Sequence, residues 1–187
     1  MTSRSTTLVG GWVGRRAHRA ILCALVGSVL LALSARVEIP FWPVPFTMQT
    51  FVVLALGLVY GPMLGAATVL AYLGQGLMGL PVFAAGGGPA YLAGPTGGYL
   101  IGMVPAAWIA GQLALRGWLR HPLTGVLAAG IANTAVYAVG VCWLAVWMGG
   151  VEQAITAGLL PFLPGAVMKI TGAGLIGWAM TRVGRKT

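Results

Sequence analysis

Six apolar runs, interrupted only by prolines, glycines and a few cations, leave this chain few ways to fold. They cover residues 20–35, 47–60, 63–78, 99–115, 123–148 and 161–180. Of 187 residues, 58% are hydrophobic and 7% charged, whereas a soluble domain carries about 25% charged residues. So little charge cannot clothe a water-facing surface. The runs are read as membrane helices, and the fold class is all-α: one polytopic domain of six transmembrane helices over 20–181. A cytoplasmic tail over 1–19 precedes it and a basic tail over 182–187 follows. The 20–35 run is read as the first membrane helix, not a cleaved signal, because five more apolar segments follow it.

Six spans return both termini to one side. Arg4, Arg15, Arg16, Arg19, Arg116, Arg120, Arg182, Arg185 and Lys186 then fall on the terminal side, and Arg36 on the other. Such an excess is the positive-inside pattern, which makes both termini cytoplasmic and places the protein in the cell membrane. The net charge of +9 is thus explained by topology, and no nucleic-acid partner is expected. The stretches 36–46, 79–98 and 149–160 face outward together.

The outward stretch 79–102 reads GLPVFAAGGGPAYLAGPTGGYLIG. Pro81, Pro89 and Pro95 lack amide donors, and the interspersed glycines allow close backbone approach. Irregular backbone at membrane depth survives only where protein or a cavity covers it. With Phe83 and Tyr91 to pack against, the stretch is read as a loop without regular structure that covers a ligand.

Little else can carry chemistry. There is no Asp, and only two Glu, Glu38 and Glu152, so paired-carboxylate catalysis is excluded and no metal site or cofactor is expected. A membrane enzyme with an outward active site would lack an acid–base set, and a channel would lack a ring of charges. Lys169 is the one cation that topology leaves over. Burying it costs about 2.5–3.5 kcal/mol on insertion scales, and it is read as an anchor for an anionic ligand under the glycine loop, with snorkelling as the alternative. Asn133 and Gln49 are polar positions open to either interhelical bonding or ligand contact. Gly172, Gly174 and Gly177 are read as helix packing. Ala20, Ala24 and Ser28 form a small-residue face on the first helix.

Three motifs carry a family resemblance: PVPFTMQT at 43–50, GPTGGYLIG at 94–102, and PFLPG followed by Lys169. Over roughly residues 20–180 the chain resembles the BioY family, the biotin-specific substrate-binding component of energy-coupling factor transporters. The resemblance implies six helices, a biotin site near the outer face, and uptake driven by a transmembrane coupling subunit and ATPase subunits. It implies that Lys169 holds a ligand oxygen, that Tyr99 and Tyr91 pack on the bicyclic ring, and that amides around Gly97 and Gly98 bond the ureido group. It also implies that Ala20 and Ala24 contact the coupling subunit. A component for a different small vitamin is the alternative, since the Asp that the family carries three residues before the lysine is Ala166 here.

Overall fold

The structure, a computed structural model, describes residues 17–183. In chain order it holds α1 (Ala17–Arg36), β1 (Glu38–Ile39), β2 (Phe46–Thr47), α2 (Gln49–Tyr60), α3 (Pro62–Leu77), α4 (Pro89–Ala93) and α5 (Gly97–Leu115). A 3₁₀ turn (Trp118–Arg120), α6 (Pro122–Met148), α7 (Val151–Gly158), a second 3₁₀ turn (Leu160–Phe162) and α8 (Leu163–Val183) complete it.

Helices α1, α2, α3, α5, α6 and α8 alternate in direction as one bundle. Their starts and stops follow from local chemistry. Pro62 and Pro122 sit at the first helical positions of α3 and α6, where a missing amide costs nothing. The His121 side chain caps α6 by accepting from the Leu123 amide at 3.3 Å. Gly61, at φ 84°, makes the turn between α2 and α3. At that end of the bundle the Thr181 hydroxyl of α8 donates to Leu119 O at 3.2 Å, joining α8 to the connector between α5 and α6.

Glycines set how closely these helices approach. A Cβ on Gly57 would lie 2.5 Å from Ala107 O, and one on Gly65 3.1 Å from the Gly57 Cα. A Cβ on Gly174 would lie 2.5 Å from the Val126 Cα, and one on Gly125 2.8 Å from Gly174 O. Backbone therefore meets backbone along the α2–α3–α5 and α6–α8 seams, as the sequence reading of Gly174 anticipates. The apolar core lies in two clusters. One, around Leu54, Leu58, Ala110 and Ala128, fills the seam end. The other, around Tyr72, Phe83, Tyr99, Leu100 and Phe162, fills the opposite end.

The structure departs from the sequence reading in four places. Among the described residues, four stretches are long and apolar enough to cross a membrane: Ala17–Arg36, Gly97–Leu115, Pro122–Met148 and Val151–Val183. The other two bundle helices, α2 with 12 residues and α3 with 16, reach only about 18 and 24 Å against an apolar core of about 30 Å. The all-α expectation also missed β1 and β2, which pair antiparallel with Glu38 opposite Thr47 and Ile39 opposite Phe46; the prolines between them forbid helix and leave an extended ribbon. Nor is 79–102 wholly irregular. Five of its residues form α4, with Pro89 opening the helix, and α5 begins at Gly97. Helix α1 begins at Ala17, three residues before the expected start. The cations Arg4, Arg15, Arg16, Arg185 and Lys186 lie outside the described residues.

The seams predict opposite effects of two glycine substitutions. Gly174→Val forces a side chain into the Val126 backbone and should lower stability by roughly 1–3 kcal/mol. Gly74→Ala, with nothing within 4 Å of its Cβ position, should raise it by about 0.5–1 kcal/mol. Thermal unfolding in detergent reads both.

Candidate functional site

The outward connections converge on two adjoining cavities. The outer one, of about 640 Å³, lies between the ribbon connection and the glycine loop. Phe41, Trp42 and Pro45 line one wall, Tyr91, Gly94 and Thr96 the other, and Glu38 is the charged group among its lining residues. The inner one, of about 40 Å³, sits deeper among the helices, lined by Thr47, Gln49, Thr50, Tyr99, Tyr137, Phe162 and Lys169 among others. Pro45 and Thr96 line both.

Hydrogen bonds from distant helices hold the loop in place. Trp143 and Trp147, one turn apart on α6, donate from Nε1 to Gly94 O at 2.8 Å and Ala93 O at 3.0 Å. The Gly88 amide donates to Gly76 O at 2.7 Å. Arg36, at the end of α1, donates to Pro81 O and to Ala84 O. At this end several glycines receive rings. Phe83 lies over Gly76, Tyr99 over Gly140, Trp143 over Gly98 and Phe46 over Gly165.

Lys169 is 8% exposed, so it does not snorkel to the surface. Within the protein it has two partners. Its ammonium donates to Thr47 O and lies 3.7 Å from the centroid of the Phe46 ring. A carbonyl and an aromatic face together stabilise a cation where water is scarce. Phe46 in turn stacks on Phe162 at 5.6 Å, and Phe41 meets Phe162 edge-on at 5.9 Å. The lysine is thus bonded to the ribbon and roofed by its aromatics.

The structure brings together Lys169 and Tyr99, which both line the inner cavity. The Tyr99 hydroxyl is engaged, donating to Gly158 O at 2.9 Å, so its ring face forms the wall. Tyr91 lines the outer cavity and stacks on Phe83 at 5.1 Å. Asn133 is buried one helical turn before Tyr137, which lines the inner cavity. Gly97 and Gly98 stand where the loop meets α5. Neither has positive φ; both are in the first turn of α5, where Gly97 lies against Leu92 O and Gly98 against Trp143. They let the loop close on the bundle. Ala20 and Ala24 are half-buried, on the same face as buried Gly27 and Leu31, all within about 60° of arc. That face turns towards the bundle, where Gly27 meets Thr68.

Sequence reading missed Phe46, Thr47, Thr96 and Phe162 as site residues. Lys169 and Thr47 are joined across 122 positions, and only tertiary packing makes them neighbours. A signal for Thr47 existed: PVPFTMQT is polar just where an apolar run begins.

The chain matches the model of the BioY family over residues 4–186. It is 38% identical to the biotin transporter BioY of Thermotoga maritima, over 84% of this chain and 93% of that protein. It is 37% identical to the biotin transporter BioY of Rhizobium etli, over 86% and 91%. A probable biotin transporter BioY of Pyrococcus horikoshii is 39% identical over 79% and 86%. Among solved structures, the S-component for biotin from an ECF-type ABC transporter superposes with a TM-score of 0.76 at 23% identity, covering 91% of this chain and 93% of that one. The two share a fold.

Gly97→Ala would set a methyl group on Leu92 O. We expect this variant to insert normally but to lose roughly 1–3 kcal/mol of stability, with faster amide hydrogen exchange over 88–98. Unchanged exchange there would show that the loop does not depend on this contact.

Proposed function

This chain belongs to the BioY family, and from that premise we propose that it captures biotin at the outer end of the bundle and delivers it inward as the substrate-binding subunit of an energy-coupling factor transporter. The observation that carries the reading is the extent of the likeness. Relatives named as biotin transporters match most of this chain and most of their own length. The chain is a transport component and not an enzyme.

The geometry supports a division of labour. Lys169 anchors a ligand oxygen, which takes the place of Thr47 O on the ammonium. Tyr99 walls the inner part of the site and Tyr91 the outer part. Gly97 and Gly98 set the closed position of the loop, and Asn133 orients Tyr137. An inner cavity of about 40 Å³ is far below the volume that small-molecule sites occupy, about 300–1,000 Å³. The ribbon carrying Phe46 and Thr47 therefore has to move for the ligand to reach Lys169.

All six bundle helices cross the cell membrane in this reading, and both termini are cytoplasmic. Arg19, Arg116, Arg120 and Arg182 lie at the seam end and Arg36 at the cavity end, which supports the orientation. Local thinning of the bilayer accommodates the short α2 and α3. A transmembrane coupling subunit and ATPase subunits supply the energy. The coupling subunit meets α1, whose Ala20 and Ala24 are covered only by half from within the bundle.

Titration of purified protein with biotin is expected to give a Kd in the nanomolar range; no binding at high micromolar biotin overturns the reading. Lys169→Met removes one charged hydrogen bond, worth about 1.5–3 kcal/mol, and should raise Kd roughly 10- to 150-fold. An unchanged Kd would return Lys169 to a structural role. Replacing Ala20 and Ala24 with Leu should leave biotin binding intact while stopping ATP-dependent uptake by the assembled transporter; loss of both would assign this face wholly to the bundle.

A further inference from the structure

Tyr72, on α3, is fully buried and lines neither the inner nor the outer cavity, yet it is bonded towards both. Its hydroxyl accepts from Gln49 Nε2 at 2.6 Å and donates to Val82 O at 3.0 Å. Gln49 Oε1 in turn accepts from the Thr47 hydroxyl at 3.0 Å, and Thr47 O holds the Lys169 ammonium. A continuous chain of hydrogen bonds thus runs Lys169–Thr47–Gln49–Tyr72–Val82. It crosses from α8 through β2, α2 and α3 to the start of the glycine loop.

The ring of Tyr72 extends the connection. It meets Phe83 edge-on at 5.5 Å, and Phe83 stacks on Tyr91 of the outer cavity. Each link is closely determined. Gln49 is buried, and a buried amide that loses a partner bears the full cost of its desolvation. Phe83 is fully buried in the notch left by Gly76, so it cannot drift independently of the 81–84 segment. Thr47, Val82 and Tyr91 are thus joined through one unbroken set of contacts.

We infer that Tyr72 is a positioning residue that couples occupancy of the inner cavity to closure of the glycine loop over the outer one. The inference rests on the proposed biotin reading. When a ligand oxygen replaces Thr47 O on Lys169, the freed ribbon re-seats against Gln49, and the Gln49–Tyr72–Val82 bonds pass that arrangement to the loop. With the relay intact the loop closes over bound ligand and slows its escape. Without the relay, ligand still enters and still reaches Lys169, but the loop closes independently of it.

Tyr72→Phe keeps the ring and removes the hydroxyl. Full-length protein in detergent or nanodiscs, with biotin as probe, is expected to show an almost unchanged association rate and a dissociation rate about tenfold faster, the size of one hydrogen bond's contribution. Hydrogen exchange provides the second readout, at the amides of residues 82–84, which line neither of these cavities. Biotin should protect them in the unsubstituted protein and leave them unprotected in Tyr72→Phe, while still protecting 46–50 in both. A lower unfolding temperature with unchanged dissociation and intact protection at 82–84 would make Tyr72 merely structural and overturn the inference. So would an absence of protection at 82–84 in the unsubstituted protein, a result that needs no variant to fold. If the unsubstituted protein binds no biotin at all, the functional reading fails instead, and the two failures are distinct.

Discussion

Backbone amides and carbonyls that leave regular structure in an apolar setting must find partners within the protein, and this requirement organises the cavity end of the molecule. An unpaired buried backbone group costs several kcal/mol in hydrocarbon. The segment from Leu80 to Thr96 meets the requirement by recruiting donors from far along the chain. Arg36 bonds Pro81 O and Ala84 O, Tyr72 bonds Val82 O, and Trp143 and Trp147 bond Gly94 O and Ala93 O. Each of these donors is on a different helix from the loop it serves or at the end of one. The loop is thereby held to α1, α3 and α6, over the outer cavity that Tyr91, Gly94 and Thr96 line.

Much of this architecture was legible in the residues. Apolar runs gave the bundle, prolines and glycines gave its breaks, and an isolated lysine in an apolar helix pointed to the site. The glycines at 172, 174 and 177 signalled close packing because small residues let helix backbones approach one another, and Gly174 does meet the Val126 backbone. Less was legible where a residue's role depends on its neighbour in space. Gly97 and Gly98 read as ligand-facing from their place in a loop, but their close neighbours are Leu92 O and Trp143. Lys169 read as an unpaired cation because pairing was sought among carboxylates, and a backbone carbonyl leaves no trace in a sequence. Ala20 and Ala24 read as a small-residue contact face, and their helical phase with Gly27 and Leu31, which half-buries them against the bundle, is visible only in the folded chain.

The lengths of the helices show a similar limit. Hydropathy distinguishes apolar from polar segments but does not give the length of the helix that forms within each. The α2–α3 pair, joined at Gly61 and Pro62, contributes two short helices to a bundle whose other members are long. Close approach at Gly57 and Gly65 compensates by burying the pair against α5.

The two kinds of glycine contact have a consequence for how such a protein can change over generations. Where backbone meets backbone, no rotamer exists to adjust, so a substitution is either absent or damaging. Where a ring fills a glycine notch, as Phe46 does at Gly165 or Phe83 at Gly76, ring size, tilt and polarity can all be varied by degrees. The first kind holds the bundle together and the second shapes the cavities. Ligand preference can therefore drift through small steps at one end of the molecule while the assembly of the helices stays fixed at the other.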